Sequence, residues 1–164
     1  MYPPARLKIG HRIPNAMLGV LRDGAVSAAN TESLFAGRRA VVIGVPGAYT
    51  PICTQRHLPQ FIEAAPKLRR SGYGLIACIA PNDPFVLARW AADIDPRGEL
   101  EFYSDGNLEF ARAAGVARRE PDFFLGERSE RYMLTTENAV ITRFNVENSI
   151  FDIACTRVEN VFLV

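Results

Sequence analysis

Residues 41–45, Val-Val-Ile-Gly-Val, form a short and continuously apolar run that stops at Pro46-Gly47 and gives way to Ala48-Tyr49-Thr50-Pro51-Ile52-Cys53. An uninterrupted apolar run of this length reads as a strand covered on both faces. The residues after Pro46-Gly47 read as a helix start. Thr50 stands at the expected N-cap, and Pro51 suits the first helical position, where its missing N–H and fixed φ cost nothing. Cys53 therefore falls in the first helical turn, where unpaired N–H groups and the helix dipole favour a thiolate over a thiol.

The rest of the chain arranges itself around that strand. Met17–Leu21 and Ala25–Val26 flank Arg22-Asp23-Gly24, which predicts a β-hairpin added at the N-terminal side. Thr31–Phe35 before Gly37 reads as a short capped helical turn. A long helix is expected from Pro51 towards Ser71, with Leu58, Phe61, Ile62, Ala65 and Leu68 at helical spacing and Gly72 as terminator. Pro59 and Pro66 each remove one i→i−4 bond from it, so a kink or break is expected. Leu75–Ile79 is a second buried strand. Asn82-Asp83-Pro84 then caps a helix with Val86, Leu87, Trp90, Ala91 and Ile94 on one face. Glu99–Tyr103 is a third strand, followed by a helix from Asn107 to Ala114 that ends at Gly115.

Residues 116–130 read as irregular. Arg131–Thr136 and Ala139–Val146, separated by Glu137-Asn138, read as a closing antiparallel hairpin, and the tail from Phe151 to Val164 is apolar enough to dock as a helix. With no repeat or linker, residues 1–164 are expected to form one domain, an α/β sheet with a parallel centre and an antiparallel edge.

Charge and cysteine usage narrow the function classes. A formal net charge of +1, without a run of Lys or Arg, disfavours nucleic acid and anionic membranes as partners. Met1-Tyr2-Pro3-Pro4 lacks an apolar signal core, and no stretch approaches the roughly 18 apolar residues of a membrane span, so a cytoplasmic protein is expected. Cysteines 53, 78 and 155 form neither CxxC nor a zinc spacing, so no metal or cofactor is expected, and their odd number leaves at least one thiol free.

Pro46, Thr50 and Cys53 carry the chemistry. Pro46 turns the chain and shields the sulfur, Thr50 offers a hydroxyl that both accepts and donates, and Cys53 is the nucleophile. Such a site suits a peroxide, because thiolate attack on one oxygen builds negative charge on the other, which prepositioned donors must meet. A buried cysteine in isolation is ordinarily a small hydrophobe; the neighbouring proline and threonine are what make Cys53 chemical. Cys78, in the alternation of its strand, reads as core. His57, four residues after Cys53, reads as a structural hydrogen-bonding residue rather than a base. Asp83 and Trp90 read as cap and core.

The string Pro46–Cys53 is similar to the PxxxTxxC signature of peroxiredoxins, thioredoxin-fold peroxidases that reduce hydroperoxides with a cysteine thiolate. His57-Leu58-Pro59, Ala77-Cys78 with Asn82-Asp83, Asp105-Gly106, Arg131-Tyr132-Met133 and Asn145-Val146-Glu147 resemble the peroxiredoxin 5 subfamily, so the likeness covers nearly the whole chain. It implies a thioredoxin-like α/β fold, a mixed sheet with flanking helices and an added N-terminal β-hairpin. It implies Cys53 as the peroxidatic thiolate, Thr50 as the residue orienting peroxide, Pro46 as the shield and Arg131 as the cation, with Arg128 as the nearby rival.

Cys155 resembles the resolving cysteine of some members, whereas many others have no thiol there. The implied partners are a hydroperoxide, a thiol reductant such as glutathione with glutaredoxin or thioredoxin, and a second copy of the chain packed near the Tyr49 loop and Pro84-Phe85. Ile52, Tyr49 and Pro66 depart from the family pattern without removing a catalytic group. Two other classes bear on the reactive thiol. A disulfide reductase is disfavoured by the missing CxxC pair, and a redox-sensing protein would need Cys53 but not the Thr50 and Arg131 arrangement.

Overall fold

The computed structural model describes residues 5–163, so the reading of Met1–Pro4 and the end of the tail at Val164 lie outside the described residues. Strand β3, Arg39–Gly44, runs inside a seven-stranded sheet between β4 (Tyr73–Ala80), which is parallel to it, and β8 (Tyr132–Glu137), which is antiparallel. Its alternate residues serve two cores, which is why the run is apolar throughout. Ala40 and Val42 pack with Phe35, Tyr103, Phe110 and Leu134, while Val41 and Ile43 pack with Phe61, Leu68, Leu87 and Trp90.

Beyond β4 lie β5 (Glu101–Ser104), parallel to it, and then the predicted hairpin, β1 (Met17–Arg22) and β2 (Ala25–Asn30). Strand β9 (Val140–Val146) closes the opposite edge. Helices α2 (Leu58–Arg70) and α3 (Pro84–Ile94) cover one face of the sheet, and α1 (Thr31–Phe35) and α4 (Glu109–Ala113) cover the other. This is the mixed α/β sheet with flanking helices that the sequence predicts.

Several local expectations are corrected. The long helix from Pro51 is not regular: Cys53–His57 form a π-helical turn before α2 begins, and Leu58 N–H bonds back five residues to the Cys53 carbonyl. Pro59 is the physical reason, because its ring would collide with the carbonyl four residues earlier and it has no N–H to give, and a widened turn relieves both. Pro66 sits inside α2 without ending it. The short turn at α1 is capped as expected, by Asn30, which accepts from Glu32 N and Ser33 N. On α3, Leu87 and Trp90 are buried but Val86 is exposed.

The segment expected to be irregular contains β6 (Ala117–Glu120) and β7 (Gly126–Ser129), paired antiparallel as a separate sheet and joined through a 3-10 turn at Pro121–Phe123. Their sequences, Ala-Arg-Arg-Glu and Gly-Glu-Arg-Ser, carry no apolar alternation that would announce a strand. The β8–β9 turn is made by Asn138-Ala139, both at positive φ of 47° and 65°, one residue later than predicted. Among the described residues the tail does not dock as an α-helix; it holds one 3-10 turn, Val158–Val161.

Candidate active site

The end of β3 delivers Pro46 and Gly47 to the edge of the sheet, and three contacts hold the following loop in place. Val45 N–H bonds Ile79 O at 3.2 Å, Ala48 N–H bonds the Asn82 side-chain oxygen at 2.7 Å, and the Tyr49 hydroxyl donates to Asp93 at 2.7 Å. Tyr49 itself is left-handed, with φ 61°, a strained backbone for a bulky residue and one that loops beside functional groups tend to keep. Thr54 N–H makes the first helical bond, to Thr50 O at 3.0 Å, so Cys53 sits among the unbonded N–H groups of the first turn, as expected. Thr50 occupies the capping position, but its hydroxyl does not cap. It donates to Gly47 O at 2.7 Å, and with its proton committed there the oxygen is left as an acceptor.

Cys53 and His57 are both fully buried, and the wide π turn between them points both at one partner. That partner is Arg131, at the approach to β8, which is only 1% exposed. Its Nη1 donates to Cys53 Sγ at 3.3 Å and to His57 Nδ1 at 3.0 Å, and its Nη2 donates to Ile150 O at 2.8 Å. Among the described residues Nε–H has no partner, and no carboxylate forms a salt bridge with this guanidinium. A buried cation without a carboxylate is costly, and the Arg131 guanidinium spends its Nη1 donor on the Cys53 sulfur and the His57 ring instead.

Because arginine can only donate, His57 Nδ1 must be the acceptor, which places the ring proton on Nε2, where it is given to Thr156 O at 3.0 Å. Burial, with the Arg131 charge behind it, pushes the His57 pKa down to about 3. The ring is therefore neutral and structural, as the sequence predicts. Cys78 is fully buried in β4, and burial drives its thiol pKa up.

Cys155 lies elsewhere, in its own surroundings. Its thiol donates to Val146 O at 3.5 Å, and it is half-buried, with its pKa pushed up to about 11 by burial and by the Glu147 carboxylate. All three thiols are free. Arg128, the rival cation, donates from Nε to Leu125 O at 2.8 Å and makes no hydrogen bond to Cys53.

Arg131 also lines a cavity of about 180 Å³, together with Pro46, Thr50, Ile52, Leu125 and Phe151, while the fully buried Cys53 is not part of its wall. Phe123 and Phe151 stand edge to face at its mouth, with ring centres 5.0 Å apart. Sequence reasoning assigns no role to four residues at or beside the site. Ile150 contributes only a backbone carbonyl, Phe123 and Phe151 belong to segments without a recognisable role, and Glu147 stands out only as part of the string Asn145-Val146-Glu147.

Comparison with known proteins places this geometry. The redoxin family matches residues 8–161. Peroxiredoxin-2E of Arabidopsis thaliana, a chloroplastic protein, is 37% identical over 147 residues, and the match covers 87% of this chain but 63% of that protein, so the chain spans less than two thirds of that relative. Peroxiredoxin-2B of the same plant is 33% identical, with the match covering 88% of this chain and 90% of that protein. Among solved structures, the reduced Prx3 of Vibrio vulnificus in complex with hydrogen peroxide superposes with a TM-score of 0.88 at 34% identity, covering 94% of this chain and 93% of the other. By sequence and by fold, the chain belongs to the redoxin family, among its peroxiredoxins.

Proposed function

We propose that the chain is a thiol-dependent peroxidase of the peroxiredoxin 5 kind, reducing hydrogen peroxide and organic hydroperoxides through Cys53. The observation that carries this reading is the Arg131 guanidinium, which lies 3.3 Å from the buried Cys53 sulfur while the same residue lines an apolar cavity walled in part by Pro46 and Thr50. The Thr50 oxygen accepts the hydroperoxide O–H, the unpaired Arg131 Nε–H serves its oxygens, and Pro46 keeps water from the sulfur. The Cys53 thiolate attacks the terminal oxygen. The S–O bond forms as O–O breaks, the alkoxide leaves and takes a proton, and the products are an alcohol and Cys53 sulfenic acid.

Cys155 then resolves the sulfenic acid by forming an S–S bond with release of water, and two equivalents of an external thiol, glutathione with glutaredoxin or thioredoxin, restore both cysteines. The apolar walls at Ile52, Phe123 and Phe151 favour alkyl and aryl hydroperoxides over hydrogen peroxide. A second copy of the chain is proposed to cover the exposed side chains of Tyr49, Phe85 and Val86, and the cytoplasm, where thiol reductants are abundant, is the proposed compartment.

The test is turnover followed by mass spectrometry. With excess thiol the protein is expected to consume many equivalents of cumene hydroperoxide, and with one equivalent and no thiol to yield a Cys53–Cys155 disulfide. A single oxidation without turnover makes it a redox sensor. A lasting sulfenic acid or glutathione adduct on Cys53, with Cys155 still alkylatable, removes Cys155 from the cycle.

A further inference from the structure

The groups that hold Arg131 in place trace back to one carboxylate outside the cavity. Glu147 follows β9 directly, and its N–H bonds Arg131 O at 3.0 Å, continuing the β8–β9 ladder past its last registered pair, Tyr132 with Val146. Its buried side chain then does something unusual for a strand-end glutamate. A single oxygen, Oε1, accepts from Ala154 N at 2.7 Å, Cys155 N at 2.9 Å, and both Thr156 N and Thr156 Oγ1 at 2.8 Å. Burial alone would raise the pKa of this carboxyl. Together the Thr156, Ala154 and Cys155 donors outweigh that penalty and hold it below the ordinary carboxylate range. The segment so captured presents Thr156 O to His57 Nε2–H, and His57 Nδ1 receives Arg131 Nη1, the same nitrogen that reaches Cys53 Sγ.

We propose that Glu147 is a positioning residue for the peroxidase site and the latch on its resolving thiol: while its carboxylate grips residues 154–156, Thr156 fixes His57, His57 fixes Arg131 against Cys53, and Cys155 is held out of reaction. This rests on the peroxidase reading for its purpose, but the latch itself is a property of the reduced protein. Release of the segment does two things at once. It frees Cys155 to form the S–S bond with the Cys53 sulfenic acid, with water leaving, and it withdraws the Thr156 carbonyl from His57, slackening the hold on Arg131 at the moment when attack on peroxide is already over. The Cys155 pKa of about 11, raised by burial and then by the Glu147 charge, agrees with a thiol kept idle until the latch opens.

The experiment measures the alkylation rate of each thiol in the reduced full-length chain with iodoacetamide, resolved by mass spectrometry, alongside hydroperoxide turnover. For Glu147→Ala, Cys53 is expected to react roughly tenfold slower and Cys155 roughly tenfold faster, the size expected from losing hydrogen bonds to a charged group. Glu147→Gln keeps an acceptor oxygen for the segment but removes the charge, so Cys53 is expected to return towards the wild-type rate while Cys155 stays faster. Opposite movement of the two thiols is the signature, because general loosening speeds both. If both rates rise together, or neither moves, the proposal is wrong. If Glu147→Ala does not fold, Glu147→Gln decides alone, and an unchanged Cys155 rate overturns the latch. Should the wild type consume no hydroperoxide, the function fails while the alkylation rates still report on the latch.

Discussion

Arg131 shows how much at this site is set by single residues. A fully buried guanidinium that has no carboxylate partner among the described residues is unfavourable unless something nearby uses its charge, and it donates to a sulfur, an imidazole nitrogen and a carbonyl. Replacing it by methionine keeps the volume but removes every donor. Arg131→Met is therefore expected to lower kcat/KM for cumene hydroperoxide about a hundredfold, the usual size for losing a prepositioned donor, while Arg128→Met has a much smaller effect because that side chain serves Leu125 O. Steady-state rates for the two variants decide this, and equal losses would contradict it. The sequence exposes Pro46, Thr50 and Cys53 because their spacing crowds three purposeful residues onto one turn. It hides the use of the Thr50 hydroxyl, which looks like a cap and instead bonds Gly47 O. It also hides Glu147, whose partners at 131 and 154–156 meet it only after β8 and β9 have paired.

At the scale of elements, strong periodic signals were legible and weak polar ones were not. The β3 run, the hairpin at Asp23-Gly24 and the α3 cap at Asp83 each rest on a local rule that tertiary contacts reinforce. Strands β6 and β7 have no such rule, since both are short and polar. The π turn at Cys53–His57 was half legible: Pro59 announces a disturbance, but only the folded chain chooses between a kink, a break and a widened turn.

The packing of β3 against β8 gives a direct prediction. A Cβ on Gly44 would lie 2.0 Å from the buried Tyr132 ring, so one strand must move if it is added. Gly44→Ala is expected to destabilise the protein by about 3 kcal/mol, read as a lower urea midpoint, and an unchanged midpoint would show that the two strands are not locked together.

For the whole molecule, the buried neutral His57 links stability to pH. The unfolded imidazole takes a proton near 6.5, whereas the folded one does so only at about 3, so between those values the unfolded state binds more protons and stability falls as pH falls. The slope reaches about 1.4 kcal/mol per pH unit, and Glu147, whose folded pKa is also depressed, adds a further loss below its unfolded value of 4.5. Urea midpoints at pH 7.5, 6 and 5 are expected to decline for the wild type and to stay flatter for His57→Gln. The overall architecture was readable because apolar runs and helical faces alternate along one chain with one core on each side of the sheet. The tail was not, because its apolar residues dock singly around Val161 rather than along a helical stripe.

The proposed function stands or falls on hydroperoxide turnover by Cys53, held against Arg131. Consumption of cumene hydroperoxide by Cys53→Ser in the presence of excess thiol tests it most directly, with circular dichroism to confirm the fold. The predicted result is complete loss of turnover in a folded protein, because a hydroxyl in that place cannot supply the thiolate. Substantial turnover by the folded variant would contradict the account.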